Sequence, residues 1–319
     1  MADVLKVAVL DDYQQVAAGL ADWAALGPNV AVAFFHDHVD DRAQLAARLA
    51  SFDAVVLTRE RTRFDADLIA LLPQLKLIVT IGMWNAAIDL AAAKARGIVV
   101  SGTEGGGPAA TAALTWTLIL GVTRGLHREL ASVRAGGWQT CVGTDVSGKT
   151  LGVLGLGRIG AAVARIGVAF GMRVIAWSQN LTDERAAEAG VQRVSKEDLF
   201  RQADVLTIHL KLGERTQGLV AADELRAMKP TAFLVNTSRG PIVSEAALID
   251  ALHHDRIAGA ALDVFDHEPL PRAHPFRTLP NVLATPHIGY VTEDTYRAAW
   301  PQIVDDLRAW IAGAPVRPL

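Results

Sequence analysis

The sequence predicts an α/β protein built from two doubly wound parallel-sheet domains. Short apolar runs alternate with amphipathic segments along the whole chain, as strands and their covering helices do in a parallel sheet. A glycine pattern, Gly155, Gly157 and Gly160, stands between one apolar run and a segment of helical period. A glycine cluster at 101–108 separates two such alternating series and reads as a hinge, with the glycine pattern in the second series.

In the first series, strands are expected over 5–10, 30–35, 54–57, 75–80 and 98–100. Helices are expected over 13–26, 42–50, 65–72 and 90–96, with Val39-Asp40-Asp41 supplying an N-cap to the second. The apolar stretch 109–122 falls short of the roughly 20 residues that span a bilayer and reads as a buried helix. In the second series, strands are expected over 151–154, 174–177, 205–210, 233–236, 259–262 and 282–284, and a closing helix over 293–313.

The pattern TLGVLGLGRIG at 150–160 has strand, turn and helix in the order a dinucleotide fold needs. Gly155 permits the tight turn, Gly157 lets the backbone approach a pyrophosphate, and Gly160 lets helix and strand pack closely. The helix start, Arg158 and Ile159, offers unpaired N–H groups and the positive end of a dipole. One part of the fingerprint is absent. An acid usually stands about 20 residues on, holding the ribose hydroxyls. Here Ser178, Gln179 and Asn180 end the second strand, which removes the repulsion of a 2′-phosphate but puts no arginine beside Ser178. The pattern therefore predicts NAD(P) and leaves NAD against NADP open.

The formal charge of −3 and the lack of long basic runs argue against nucleic acid as the main partner. The single cysteine, Cys141, cannot form an internal disulfide, reads as a passive thiol, and suits a reducing cytoplasm. An acid precedes the first apolar run with no basic segment before it, so no signal peptide and no membrane association are expected. HDHVDD at 36–41 invites a metal reading, but solvated polar residues are ordinary at a strand end and a helix cap, and no metal is expected. His253 and His254 read as the exposed end of a helix.

Three further motifs follow predicted strands, and ligands of open α/β sheets sit outside the carboxyl ends of strands. LVNTSRG at 234–240 carries Thr237 and Arg239, whose planar fork suits a carboxylate. ALDVFDHEPLP at 261–271 carries Asp263 and Glu268, and TPHIG at 285–289 carries His287 and Gly289. Singly, Arg239 reads equally as a structural ion pair, Glu268 as a loop acid and His287 as a turn histidine. Together they set a cation, an acid and a titratable base at the strand ends of a nucleotide-binding sheet, which suits hydride transfer to a keto acid.

With these motifs the chain resembles the D-isomer-specific 2-hydroxyacid dehydrogenases over essentially its whole length, with a likeness to glyoxylate and hydroxypyruvate reductases. The resemblance implies a Rossmann-type nucleotide domain, 102–287, inserted into a discontinuous flavodoxin-like substrate domain, 1–101 and 288–319. It implies a homodimer built through the nucleotide domain, including the helix at 109–124. It implies that Arg239 binds the 2-oxo acid's carboxylate, that His287 exchanges a proton with the carbonyl oxygen, and that Glu268 holds the imidazole. Asp263 would lie near the nicotinamide, and His209, Thr216, Thr237 and Gly289 would line the cofactor. The backbone N–H groups of Ile81 and Gly82 would take the substrate's carboxylate, and Arg59 resembles a position that holds a second acidic group, though a solvated charge run is as good a reading.

Departures from the family pattern fall at Ala113 in place of glutamate, Lys211 in place of proline, Trp84 in the substrate loop, and Ser178. Lys211 favours a 2′-phosphate if it lies near the adenosine half. The chain stops after its closing helix, so the regulatory domain of longer phosphoglycerate dehydrogenases is not expected. The expected reaction links a small 2-oxo acid, such as glyoxylate or hydroxypyruvate, to its D-2-hydroxy acid. A formate-dehydrogenase-like role is disfavoured, since that branch has glutamine at the position of Glu268. The alternative is an NAD(H)-sensing binding protein resembling the family's corepressors.

Overall fold

The structure, a computed structural model, describes residues 4–319. The chain divides into two compact units, Met1–Gly106 with Val291–Leu319, and Gly107–Tyr290. The changeovers at 106/107 and 290/291 lie a few residues beyond those expected at 101/102 and 287/288.

The first unit holds five strands: β1 (Leu5–Val9), β2 (Val30–Phe34), β3 (Ala54–Leu57), β4 (Leu77–Thr80) and β5 (Val99–Gly102). They are all parallel, in the order β2-β1-β3-β4-β5, the doubly wound order of flavodoxin-like sheets. Every residue of β3 and β4 is buried, so both faces are covered and the strands read as mostly apolar runs. Aspartates at the N-caps start the helices here: Asp41, Asp65 and Asp89 accept from the amides of Gln44, Leu68 and Ala92 at 2.8 to 3.0 Å.

One expected helix does not form. Residues 13–26 break into a short helix, Ala17–Leu20, and a 3-10 turn, Trp23–Leu26, with Ala21 extended between them. Asp12 takes the amides of Val16 and Ala17, which delays the start. Trp23 then donates to the Ala17 carbonyl at 2.8 Å and packs edge-on against Phe34, its ring centroid 5.2 Å away. Tertiary packing of the indole overrides the helical period.

HDHVDD is likewise put to structural use. The His38 ring pairs with the buried Asp11 carboxylate at 2.9 Å, and His36 bonds the Asp12 carbonyl. Among the described residues, no three His, Cys, Asp or Glu side chains gather as a metal site.

The second unit holds seven parallel strands: β6 (Thr150–Leu154), β7 (Arg173–Trp177), β8 (Gln192–Arg193), β9 (Val205–Ile208), β10 (Phe233–Asn236), β11 (Gly259–Leu262) and β12 (Val282–Ala284). Their order is β12-β11-β10-β9-β6-β7-β8. The winding reverses between β6 and β9, the switch point outside which dinucleotides bind. The apolar stretch forms the helix Ala109–Thr123, largely buried within this unit. No single helix among the described residues is long and apolar enough to cross a membrane. The two-residue exposed β8 carries too little pattern to be seen in the sequence, and the helix Leu126–Arg134 is not among the expected elements.

In the first unit, the last helix, Glu293–Ile311, buries Asp306 completely against the guanidinium of Arg317, 2.9 Å away. Burial pushes the Asp306 carboxyl up to about 7 despite the opposing pull of Arg317. A carboxyl whose folded value is raised contributes stability that is fully present below its unfolded value, near 4, and is lost as pH rises through the folded value. Asp306→Asn, neutral throughout, should therefore gain in urea midpoint relative to the parent between pH 4 and pH 7 and hold that gain above it. A midpoint difference that is the same at pH 4.5 and pH 8 would contradict the buried-acid account.

Candidate active site

The glycine turn after β6 is shaped by contacts that a side chain would block. Gly155 has φ of 103°, and a Cβ there would sit 2.8 Å from the His209 carbonyl carbon. A Cβ on Gly160 would collide with the Gly155 carbonyl oxygen. At Gly157 a Cβ would meet only open space. Gly157 is also the N-cap of the helix Arg158–Ala169 and has no side-chain cap, so that helix presents its first amides outward. The turn fits a dinucleotide: two glycines are consumed by the fold, and the third leaves the approach to the helix start clear.

Ser178 stands where the acid is missing. Its Oγ accepts the amide of Leu156 at 2.9 Å, tying the end of β7 to the glycine turn. Gln179 beside it is exposed. Across the switch point, β9 ends at Ile208 rather than at residue 210; His209 donates its amide to the Leu154 carbonyl, and its ring meets the Thr207 hydroxyl at 2.9 Å. Burial pushes the His209 imidazole down to about 3, so the ring is neutral. Thr216 closes its own turn, donating to the Lys211 carbonyl at 2.7 Å and accepting the Gly213 amide.

The second cluster follows β10, β11 and β12. After β10, Asn236 accepts the Ser238 amide and donates to the Arg239 carbonyl, both at 3.0 Å, and the Arg239 guanidinium donates to the Ser238 carbonyl at 2.7 Å. Gly240 packs so closely on the Phe265–Asp266 backbone that a Cβ would overlap it. This contact joins the Arg239 turn to the loop after β11. In that loop Glu268 accepts the Phe265 amide through Oε1 at 2.9 Å, and its Oε2 lies 2.6 Å from His287 Nδ1. Both side chains are partly exposed. With Nδ1–H donated to the carboxylate, Nε2 is the nitrogen left to exchange a proton.

His287 has φ of 52°, a left-handed conformation that is costly for a bulky residue. Asp263 supports it from below. The fully buried Asp263 carboxylate accepts the Thr285 hydroxyl at 2.6 Å and the Ile288 amide at 2.8 Å on one oxygen, and the Gly289 amide at 2.9 Å on the other. Burial pushes its carboxyl up, and these hydrogen bonds pull it back. Asp263 is therefore committed to the His287 turn.

The first-unit residues need a correction. Ile81 donates its amide to the Leu57 carbonyl at 3.1 Å, and Gly82 donates its amide to the Thr103 hydroxyl at 2.9 Å. Both N–H groups are spent on the fold, so an anion at this turn must be met by groups further along it, from Met83 onward. The Arg59 guanidinium packs beside Gly82, 2.9 Å from where a Cβ would be. Arg59 is itself left-handed, with φ of 57°, and the buried Asn85 holds its carbonyl at 2.7 Å. Trp84 is 60% exposed. Asn85 and Thr103 escape sequence reading, because nothing local marks a side chain as the anchor of a turn.

The family model for the NAD binding domain of D-isomer specific 2-hydroxyacid dehydrogenases matches residues 116–289, nearly all of the second unit. The chain belongs to this family. It is 41% identical over 260 residues to a glyoxylate reductase of Aeropyrum pernix, covering 79% of this chain and 78% of that one. It is 36% identical over 278 residues to a D-3-phosphoglycerate dehydrogenase of Archaeoglobus fulgidus, covering 86% of this chain but 53% of that one. The solved structure of a phosphoglycerate oxidoreductase from Vibrio cholerae superposes with a TM-score of 0.91 at 38% identity, covering 97% of this chain and all of the other. The chain is an oxidoreductase with an NAD(H)-binding Rossmann unit. Relatives named for reductase and dehydrogenase activity do not favour the sensor alternative.

The glycine contacts separate fold from function. Gly240→Ala should lower the melting temperature by several degrees, since about 1 kcal/mol is worth a few degrees in a chain this size. Gly157→Ala should melt like the parent while its methyl weakens NADH binding. Thermal melts with a fluorescence titration check both; a Gly240→Ala protein as stable as the parent would contradict the close packing.

Proposed function

We propose that the protein reduces a small 2-oxo acid of the glyoxylate or hydroxypyruvate type to the D-2-hydroxy acid, using NAD(P)H. The observation that carries this reading is the 2.6 Å pair of Glu268 and His287, on the loops after β11 and β12, with Arg239 on the loop after the neighbouring β10. The 41% identity to a glyoxylate reductase supports the substrate class.

The Gly155–Gly160 turn and the helix start at Arg158 and Ile159 hold the pyrophosphate, with Ser178 and Gln179 at the ribose and His209, Thr216, Thr237 and Gly289 along the cofactor. Bound NAD(H) supplies the hydride in reduction and accepts it in oxidation. Arg239 binds the substrate's carboxylate and polarises its carbonyl. As the carbonyl carbon gains the hydride, the π pair moves to oxygen, which takes a proton from His287 Nε2 and leaves the imidazole neutral. Glu268 fixes the ring's tautomer and stabilises its charged form. Residues up to 106 with those from 291 form the substrate domain, where the turn from Met83 onward meets the acid and Arg59 suits a second acidic group.

Cofactor choice turns on Ser178. Its oxygen already accepts the Leu156 amide, so its hydroxyl proton is left to point at a ribose or phosphate oxygen. A neutral donor does not repel a 2′-phosphate, and exposed Lys211, just after β9, adds positive charge to the same strand ends. The reading is that both NADH and NADPH serve.

The working state proposed is a homodimer. On the helix Leu126–Arg134, Leu126, Leu130 and Val133 recur at helical spacing and are about half exposed, and Trp138 nearby is 76% exposed. A second copy of the same stripe would cover this apolar patch. The cytoplasm is the proposed location, in keeping with a lone Cys141 whose thiol is engaged by Glu129 at 3.1 Å; cell fractionation checks it.

Purified protein with either nucleotide should reduce glyoxylate or hydroxypyruvate, and His287→Ala should lose about 100- to 10,000-fold in kcat while binding NADH as before. Tight NADH binding with no turnover of any 2-oxo acid would sink the enzyme reading, and rejection of NADPH would sink the reading of Ser178. Leu130→Glu should halve the mass measured by light scattering; a parent protein that is already monomeric would end the dimer proposal.

A further inference from the structure

Three hydroxyls join the Arg239 turn to the His287 turn through a helix outside both. The Thr111 hydroxyl donates to the Gly289 carbonyl at 3.1 Å. The Thr115 hydroxyl donates to the Thr111 carbonyl at 2.8 Å and lies 2.9 Å from the Thr237 hydroxyl. A hydroxyl has one proton, and that of Thr115 goes to a carbonyl, so Thr237 must be the donor to Thr115. The direction of the chain is thereby fixed: Thr237 to Thr115, Thr115 to the Thr111 backbone, Thr111 to Gly289.

Its two ends are the informative part. Thr237 stands two residues before Arg239, and Gly289 two residues after His287. Asp263 grips Gly289 by its amide while Thr111 grips the same residue by its carbonyl. Gly289 is pinned at both ends, and a left-handed His287 has little room to relax. Thr115 is fully buried, so no water competes at the middle link.

We infer that Thr111 and Thr115 are positioning residues for the reaction: they hold the Arg239 and His287 turns in fixed register through the helix Ala109–Thr123. Neither is assigned a chemical step. The inference rests on His287 as the acid–base group. It extends that reading by making the first turns of this helix part of the catalytic machinery.

The test is kinetic. Thr111→Val keeps the shape and removes the donor, whereas Thr111→Ser keeps the donor. Thr117→Val is the control, because it removes a comparable bond to the Ala113 carbonyl on the exposed side of the same helix. Thr111→Val should lower kcat up to about 100-fold, the scale of a small misplacement at a reacting centre. It should displace the pH profile of kcat and raise the isotope effect with deuterated NADH, with the NADH Kd unchanged. Thr111→Ser should recover most of the rate, and Thr117→Val should match the parent. Should Thr111→Val fail to fold, Thr115→Val breaks the same chain one link earlier and is held to the same expectation. Parent-like kcat and pH profile in the folded valine variant would overturn the inference, as would failure of the serine variant to recover. His287→Ala assayed alongside separates the cases: if it keeps its turnover, the acid–base reading fails; if it is inactive while Thr111→Val is normal, only the positioning role fails.

Discussion

The second unit depends on one buried carboxylate. Asp263 lies under the turn at 285–289 and takes three of its donors, two amides and a hydroxyl. An ionised carboxyl without solvent is costly, and three short hydrogen bonds offset that cost only in one arrangement of the turn. The arrangement they select places His287 at φ of 52°, which the residue would not adopt unaided. Loss of any one donor would leave part of a buried charge unmatched, so the turn is held with a stringency that dispersion contacts do not provide. The His287 ring then reaches Glu268 without a search, and the loop after β11 needs only one bond, from the Phe265 amide, to meet it.

Close backbone approaches serve the same end at the neighbouring strands. Gly240 lets the Arg239 turn lie directly on the Phe265–Asp266 peptide, and Gly155 lets the turn after β6 meet the backbone after β9. In each case two loops from adjacent strand ends share a contact with no side chain between them. Rigid strands set these loops to within the strand spacing, and the glycines remove the remaining slack. The groups proposed for catalysis, supplied by three separate strands, can therefore keep a common geometry, although each loop is short and partly solvent-facing.

What the sequence made legible follows from this. The strands are recognisable because both sheet faces are covered, so β3, β4, β6 and β9 are buried along their whole length and mostly apolar. Arg239, Glu268 and His287 are recognisable because each follows such a run within a few residues. The failures have physical causes. Residues 13–26 have helical spacing, but Trp23 settles against Phe34 and the helix divides. Ile81 and Gly82 lie in the right turn, but their amides are taken by Leu57 and Thr103, one of them 21 positions away in sequence. Thr111 and Thr115 look like ordinary helix residues, because their partners, Gly289 and Thr237, are fixed only by the packing of a helix on a sheet. Motifs report what a loop carries, not what a distant hydroxyl does to it.

Ser178 shows how a departure from a family pattern can be absorbed locally. A carboxylate at the end of β7 would serve a ribose through charge; a serine cannot, and the loss would leave the glycine turn less tied to β7. The bond from the Leu156 amide to Ser178 Oγ repairs the second defect without restoring the first. The turn keeps its shape, as the tight fit of Gly155 and Gly160 requires, while the strand end becomes electrically neutral. On the proposed reading, grip on the pyrophosphate and choice at the ribose are thereby uncoupled: the first would reside in backbone geometry that one side chain cannot easily disturb, and the second in a single exchangeable residue.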